Sequence, residues 1–482
     1  MRKLLLTLLI LTLFISISYS QLSVKIVSPK NGETVSGVIT IKVDVSDPTN
    51  VSKVEFYINN EKVGEVTKSP FEYILDTTLY PNGEYTIIVR VYEKTGLMTG
   101  VRIKIRIENT HYTGWQKTYG GSSDDAAWFI QQTNDGGYIV AGETNSFGAG
   151  RADVYVIKLD ENGNMVWEKT YGGNDYDEAF SIQQTSDGGY IVAGRTNSFG
   201  TGDWDVYVIK LDENGNMVWE KTYGGNDYDI AFSIKQTKDG GYIVAGGTKS
   251  FGAGGGDFYI IKLDENGNKI WEKTYGGSND DLALSIQQTS DGGYIVAGYT
   301  NSFGTGEGDV YVIKLDENGN MVWEKTYGGN DYDEAISIQQ TSDGGYIVAG
   351  RTKSFGAGDY NVYVIKLDEN GNELWEKTYG GSNDDLAFSI QQTKDGGYIV
   401  AGGTNSFGAG RADVYVIKFD ENGNKIWEKT YGGSNDDLAF SIQQTSDGGY
   451  IVAGYTNSFG TGEGDVYVIK LDENGNTGPY PQ

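Results

Sequence analysis

From Trp115 onward the chain repeats itself every 52 residues: Trp115, Trp167, Trp219, Trp271, Trp323, Trp375 and Trp427 open near-identical segments reading WEKTYGG, SIQQTSDGGYIVAG and DVYVIKLDENGN. Each unit holds four short strand-like runs separated by turns. A period of this length with four strands per unit marks a propeller blade, because one blade alone cannot bury both of its faces. The expected fold is all-β, with a seven-bladed propeller over residues 115–478.

Within the second unit the four strands are AFSIQQT (Ala179 to Thr185), GYIVAG, DVYVIKL and MVWEKTY. The middle two are apolar on both faces, as expected where each sheet is sandwiched between neighbouring sheets. Ser and Gln alternate in the first strand, which suits the wall of a wet central channel. The last strand carries charges such as Glu168 and Lys169, which discourage edge-to-edge pairing at the rim. Trp115 to Tyr119 is an outermost strand with no inner strands before it, and Asp465 to Leu471 is a third strand without a fourth. Pairing the two completes one blade and closes the ring by a clasp.

Residues 22–108 lie outside the repeat and alternate as short strands, SVKIVS, VITIKVDVS, SKVEFYINN, FEYILD, EYTIIVRVYE and VRIKIRIE, with turn clusters such as Pro29-Lys-Asn-Gly32 between them. This predicts a small antiparallel β-sandwich. Its segments SPKNGETVSGVITIKVDVSD, VSKVEFYINNEKVG and NGEYTIIVRVYEKTG resemble the bacterial Ig-like accessory domains of exported proteins, which implies a spacer or a weak binding module. Over residues 115–476 the GGYIVAG and VYVIKLDENGN segments are similar to seven-bladed propeller repeats of exported bacterial and archaeal proteins. That resemblance implies a fold and no particular chemistry.

The opening MRKLLLTLLILTLFISISYS pairs two basic residues with an apolar stretch too short to span a bilayer, and residues 1–20 read as a secretory signal peptide. A secreted, periplasmic or cell-surface protein follows, with no membrane insertion after cleavage, a junction over 109–114 and a short tail over 479–482. There is no cysteine, and the single histidine, His111, sits in the junction. Zinc sites built on His and Cys, and nucleophile systems that need a histidine base, have no material in the propeller. With 66 acidic against 38 basic residues the formal charge is -28, which excludes nucleic acid as a natural partner.

Two connections are nearly invariant and tight: Asp187-Gly-Gly189 and Asp212-Glu-Asn-Gly-Asn216. Both carry hairpin chemistry, since Asn-Gly and Asp-Gly supply positive φ. The second places glycine fourth and lacks a closing carboxylate, so it reads as a turn rather than a calcium loop. The two longer connections share the opposite face and hold most differences between units. There Tyr176, Trp204, Tyr228, Tyr299, Tyr332, Tyr360 and Tyr455, with Arg195 and Arg351, form a candidate mosaic for stacking on sugar rings or anchoring a protein. Asp125, Asp177, Asp229, Asp281, Asp333, Asp385 and Asp437 open the innermost strand of every blade. They either gather around the axis as a cation site, for which calcium is the candidate, or close their own loops by accepting backbone amides.

An enzyme of sialidase type needs clustered arginines, and the propeller has only Arg151, Arg195, Arg351 and Arg411, spread around the ring. The expectation is an exported, non-enzymatic binding or scaffold protein whose partner is carbohydrate or a cell-surface protein. The alternatives are a glycosidase or lyase using top-face carboxylates, and a purely structural envelope component.

Overall fold

The computed structural model describes residues 22–80, 83–108 and 114–480. The signal peptide expected over 1–20 and residues 109–113 of the junction, His111 among them, lie outside the described residues. The chain divides into two compact units, 1–111 and 112–482.

The first unit is a sandwich of two sheets. Strands β1 (Val24–Ser28), β3 (Val38–Val45) and β6 (Phe71–Asp76) form one sheet in the order β1-β3-β6. The other runs β2-β8-β7-β4-β5, from β2 (Glu33–Val35), β8 (Met98–Ile107), β7 (Gly83–Glu93), β4 (Val51–Ile58) and β5 (Glu61–Val66). Alternate residues such as Ile41, Val54, Phe56, Ile87 and Val89 point inward and are fully buried. Two short edge strands escaped the sequence pattern. β2 is three residues long and pairs parallel with β8, so the sandwich is not purely antiparallel. β5 follows a turn at Asn59 and Asn60, whose φ values of 47° and 77° are those that asparagine tolerates in a tight hairpin.

The second unit is the propeller, built of seven four-stranded sheets. Six run in plain sequence order, the first as Asp125–Gln132, Tyr138–Thr144, Asp153–Leu159 and Met165–Tyr171. The seventh is Asp437–Gln444, Tyr450–Thr456 and Asp465–Leu471, completed by β9 (Trp115–Tyr119) with Val468 opposite Lys117. The clasp expected from the repeat is therefore a backbone ladder. Second and third strands are buried at almost every position, and each interface between sheets has its own core of Tyr, Ile, Val and Ala. Each buried Ile or Val contributes roughly 1.5–3 kcal/mol, so the ring is held mainly by apolar packing.

The invariant polar residues join blades or latch hairpins. The tight turn of each blade seats its glycine against the tryptophan of the blade before: a Cβ on Gly215, at φ +72°, would stand 2.8 Å from the Trp167 ring. Tyr171 donates to the Gly215 carbonyl, and Lys169 reaches Asn216 at 2.8 Å. The rim charges thus serve as ties between blades. Asp187, read from sequence as a turn former only, also pairs at 2.9 Å with the buried Lys210 of the third strand, and the same latch recurs in every blade.

Candidate functional site

The inner strands enclose a central cavity of about 750 Å³. Each strand carries a one-residue bulge, between Ala179 and Ser181 in the second blade, and the extra residue lines the cavity. That position is Phe180, Phe232, Phe388 or Phe440 in four blades, and Trp128, Leu284 or Ile336 in the others. Ring centroids lie 5.1 Å apart for Phe388–Phe440, 4.3 Å for Phe440–Trp128, 5.6 Å for Trp128–Phe180 and 5.2 Å for Phe180–Phe232. The wall expected to be wet is therefore an apolar collar toward the loop face. Serine and glutamine line it only toward the opposite end.

Those serines and glutamines link blades. The Gln131 side-chain oxygen accepts the Gln184 amide at 2.7 Å, and the Ser181 hydroxyl accepts the Ile234 amide at 3.3 Å. The pattern continues across the closure, where Gln443 accepts the Gln132 amide at 2.6 Å.

The seven aspartates of the inner strands are all buried, and each is engaged within its own loop. Asp177 accepts from the Gly173 amide and the Ser198 hydroxyl, both at 2.7 Å, and from the Thr196 hydroxyl. Its own amide donates to the Ala152 carbonyl of the preceding blade at 2.8 Å. Asp125 does the same across the ring closure, donating to Gly464 at 2.9 Å. The same backbone amide bond holds Asp229, Asp281, Asp333, Asp385 and Asp437, while the second carboxylate oxygen of Asp229, Asp281 and Asp333 is buried without a hydrogen-bond partner. These bonds tie each aspartate to the loops of its own blade. Among the described residues no group of three or more His, Asp or Glu side chains is placed to hold a metal ion.

The expected aromatic mosaic resolves into two clusters and one outlier. In the first, Arg195 grips Glu178 in bidentate fashion, at 3.0 and 2.9 Å, lies 4.1 Å over the Trp204 ring and donates to the Tyr228 hydroxyl. Tyr176 extends the cluster, 6.2 Å from Trp204. In the second, Arg351 bonds Glu334 at 2.7 Å and lies 4.8 Å over Tyr360, while Tyr332 contacts both Tyr299 and Tyr360. Tyr455 stands apart and stacks on Phe440, so it backs the collar. Of these residues only Tyr176 is exposed, at 38%; the others are half-buried by packing on one another. Both clustered guanidiniums are already paired, and Arg151 and Arg411 are exposed, so no arginine triad forms.

This face also carries a feature that does not differ between units. Phe147, Phe199, Phe251, Phe303 and Phe407, from the SFG run of five blades, are each 38–42% exposed and lean on the third-strand tyrosine of their own sheet. Because they are invariant, the positions that vary between units do not include them. An invariant exposed aromatic in a loop was itself the available signal.

Glu143 is the odd acid of the loop face. It occupies the position of Arg195 and Arg351, but Ala126 stands opposite it. Burial, reinforced by the Glu178 carboxylate and only partly opposed by Arg195, pushes its carboxyl up to about 7. The buried Trp128 indole N–H completes no hydrogen bond, but it faces the Glu143 carboxyl closely enough to favour the charged form slightly. The Trp128 indole N–H resonance is expected to titrate with a midpoint near pH 7, and Glu143→Gln is expected to abolish the titration; a flat wild-type resonance would refute the assignment.

Known proteins share both units. Residues 23–89 match the bacterial Ig domain family, and residues 152–404, more than half of the chain, match the family described as outer membrane protein assembly factor BamB. The chain belongs to this second family. It is similar to the regulatory protein FlaEY of Caulobacter vibrioides, 24% identical over 357 residues that cover 67% of this chain and 35% of that protein. The chain thus spans about a third of that relative's length. Among solved structures, the extracellular domain of the B. thetaiotaomicron hybrid two component system BT4673 aligns with 82% of this chain and 46% of its own, at 12% identity and a TM-score of 0.44. Fibronectin(III)-like modules of Clostridium thermocellum CbhA align at 24% identity over 18% of this chain and 98% of theirs, with a TM-score of 0.17.

Proposed function

We propose that this is a non-enzymatic binding or scaffold protein, working outside the cell or at its surface, whose propeller loop face recognises carbohydrate or a cell-surface protein. The observation that carries the reading is the set of exposed phenylalanines at Phe147, Phe199, Phe251, Phe303 and Phe407, repeated beside the two arginine–aromatic clusters. Repetition around a ring presents the same apolar contact several times, so weak single contacts add through multivalency. The Ig unit serves as a spacer. Membership of a family described by an assembly factor, and similarity to a regulatory protein, support a role in binding rather than turnover.

The test is binding of the full chain to an array of glycans and cell-wall polysaccharides, with and without calcium. Phe199→Ala combined with Phe303→Ala is expected to weaken binding at least tenfold, the effect of losing about 1.4 kcal/mol. Unchanged binding by the double variant would refute the role of these side chains. A second reading, a glycosidase or lyase, draws on Glu143, whose carboxyl near 7 suits proton transfer. Release of sugar from the array that Glu143→Gln prevents would establish it in place of the first. Silence toward every glycan would move the partner to a cell-surface protein or favour a structural role.

A further inference from the structure

Two residues of the channel depart from a repeat that is otherwise almost invariant there, and each gives up a structural bond. The serine ring runs through Ser181, Ser233, Ser285, Ser337, Ser389 and Ser441, whose hydroxyls accept the isoleucine amide of the next blade. In the first blade that position is Phe129, which has no oxygen to offer the Ile182 amide. The glutamine ring likewise runs through Gln131, Gln183, Gln287, Gln339, Gln391 and Gln443. In the third blade that position is Lys235, which cannot accept the Gln288 amide.

The two departures meet. Lys235 Nζ lies 4.8 Å from the centre of the Phe129 ring, although the residues belong to blades that are not neighbours. Both line the cavity that the aromatic collar closes on its other side. Lys235 is half-buried by area, yet protein surrounds it, since the area it keeps faces the channel. It makes no hydrogen bond or ion pair among the described residues, and burial alone, with no acid near it, pushes its ammonium down to about 8. The other charges on the cavity wall are engaged elsewhere: Lys238 on the Thr289 and Ser290 carbonyls, Arg351 on Glu334. A chain of net charge -28 therefore keeps an uncompensated ammonium in its central cavity, beside an added phenyl ring.

We propose that the channel binds a small amphiphilic carboxylate, its anionic head on Lys235 and its apolar or aromatic body against Phe129 and the collar of Trp128, Phe180 and Phe440. The cavity, about 750 Å³, lies in the range of ordinary small-molecule sites. The carboxylate would supply the missing counter-charge in a place poor in water, where a charge-assisted hydrogen bond is strong. Glutamines beside Lys235 offer amide N–H groups to the second oxygen. Arg351 and Glu334 of the loop-face cluster also border this cavity, but Lys235 and Phe129 are inner-strand residues that the reading of that face does not use, so the success or failure of the site leaves that reading untouched.

The experiment is isothermal titration of the full chain at pH 7 with 4-phenylbutyrate and with its neutral analogue 4-phenylbutanol. The comparison covers the wild type, Lys235→Gln and Phe129→Ser; each substitution installs the residue that the other six blades carry, so both chains are expected to fold. The wild type should bind one equivalent of the acid at least about tenfold more tightly than the alcohol. Lys235→Gln should remove that preference, and Phe129→Ser should weaken acid and alcohol alike. Equal affinity for acid and alcohol in the wild type, a preference that survives in Lys235→Gln, or no heat from either ligand at millimolar concentration would overturn the proposal. Lys235→Met, an unbranched chain one atom shorter and without the charge, gives the same readout if the glutamine variant is not soluble.

Discussion

Replacing Gly298 by alanine is expected to remove about 3 kcal/mol of stability, more than any exposed substitution in the same blade. Gly298 sits opposite Ala283, where the inner strand bulges before Ser285. The bulge turns the Leu282 carbonyl toward the second strand, so a Cβ on Gly298 would lie 1.8 Å from that oxygen, 2.9 Å from its carbon and 3.0 Å from the Ala283 Cα. All three obstacles are backbone, fixed between two hydrogen-bonded strands, and none can rotate away. Relief requires straightening the bulge that places Leu284 in the channel wall. Gly292 gives the contrast. It lies in a tight turn at φ +91° with nothing within 4 Å of its missing Cβ, so alanine there meets only left-handed strain, about 1 kcal/mol. Urea unfolding of the two variants separates the effects; a loss below about 1 kcal/mol at Gly298 would show that the bulge yields.

The clasp and the blade boundaries were legible because they follow from chain order: a fourth strand before the first blade and a missing one after the last have only each other to pair with. The hairpin turns were legible because Asp-Gly-Gly and Asn-Gly restrict φ locally. The loop face was less legible, since its variable residues have meaning only as cross-strand pairs. Hairpin register places Arg195 opposite Glu178 and Arg351 opposite Glu334, while Tyr299 and Tyr455 stand opposite Leu282 and Leu438. Arginine faces glutamate wherever it occurs at this position, so the ion pairs that half-bury the aromatics were written in the repeat as matched changes on two strands. Glu143 opposite Ala126 is the position where that matching fails, and its carboxyl is pushed upward accordingly. The meeting of Phe129 with Lys235 was of another kind. Each is visible as an exception to the repeat, but their contact depends on the radius at which seven sheets close, a quantity set by packing between blades.

Lys235→Gln is expected to stabilise the protein by about 3 kcal/mol at pH 7. The restored amide link to Gln288 accounts for about 1 kcal/mol, the usual net value of one hydrogen bond. Moving the ammonium from its ordinary 10.5 to about 8 costs the folded state roughly 3 kcal/mol, and loss of the contact with the Phe129 ring gives back at most about 1. The sign fixes the pH dependence. The penalty is fully present below about 8, where the lysine is charged in both states. Between about 8 and 10.5 the unfolded chain holds the extra proton, so wild-type stability rises with pH relative to the glutamine variant. The advantage of Lys235→Gln should therefore shrink toward the hydrogen-bond contribution by pH 10.5, and taking the difference between the two chains cancels every other titrating group. A variant less stable than the wild type, or an advantage that does not change with pH, would mean that the ammonium finds compensation in the channel. If the expected gain is measured together with loss of carboxylate binding, one substitution moves stability and binding in opposite directions. That is the behaviour of a residue retained for its ligand at the expense of the ring that holds it.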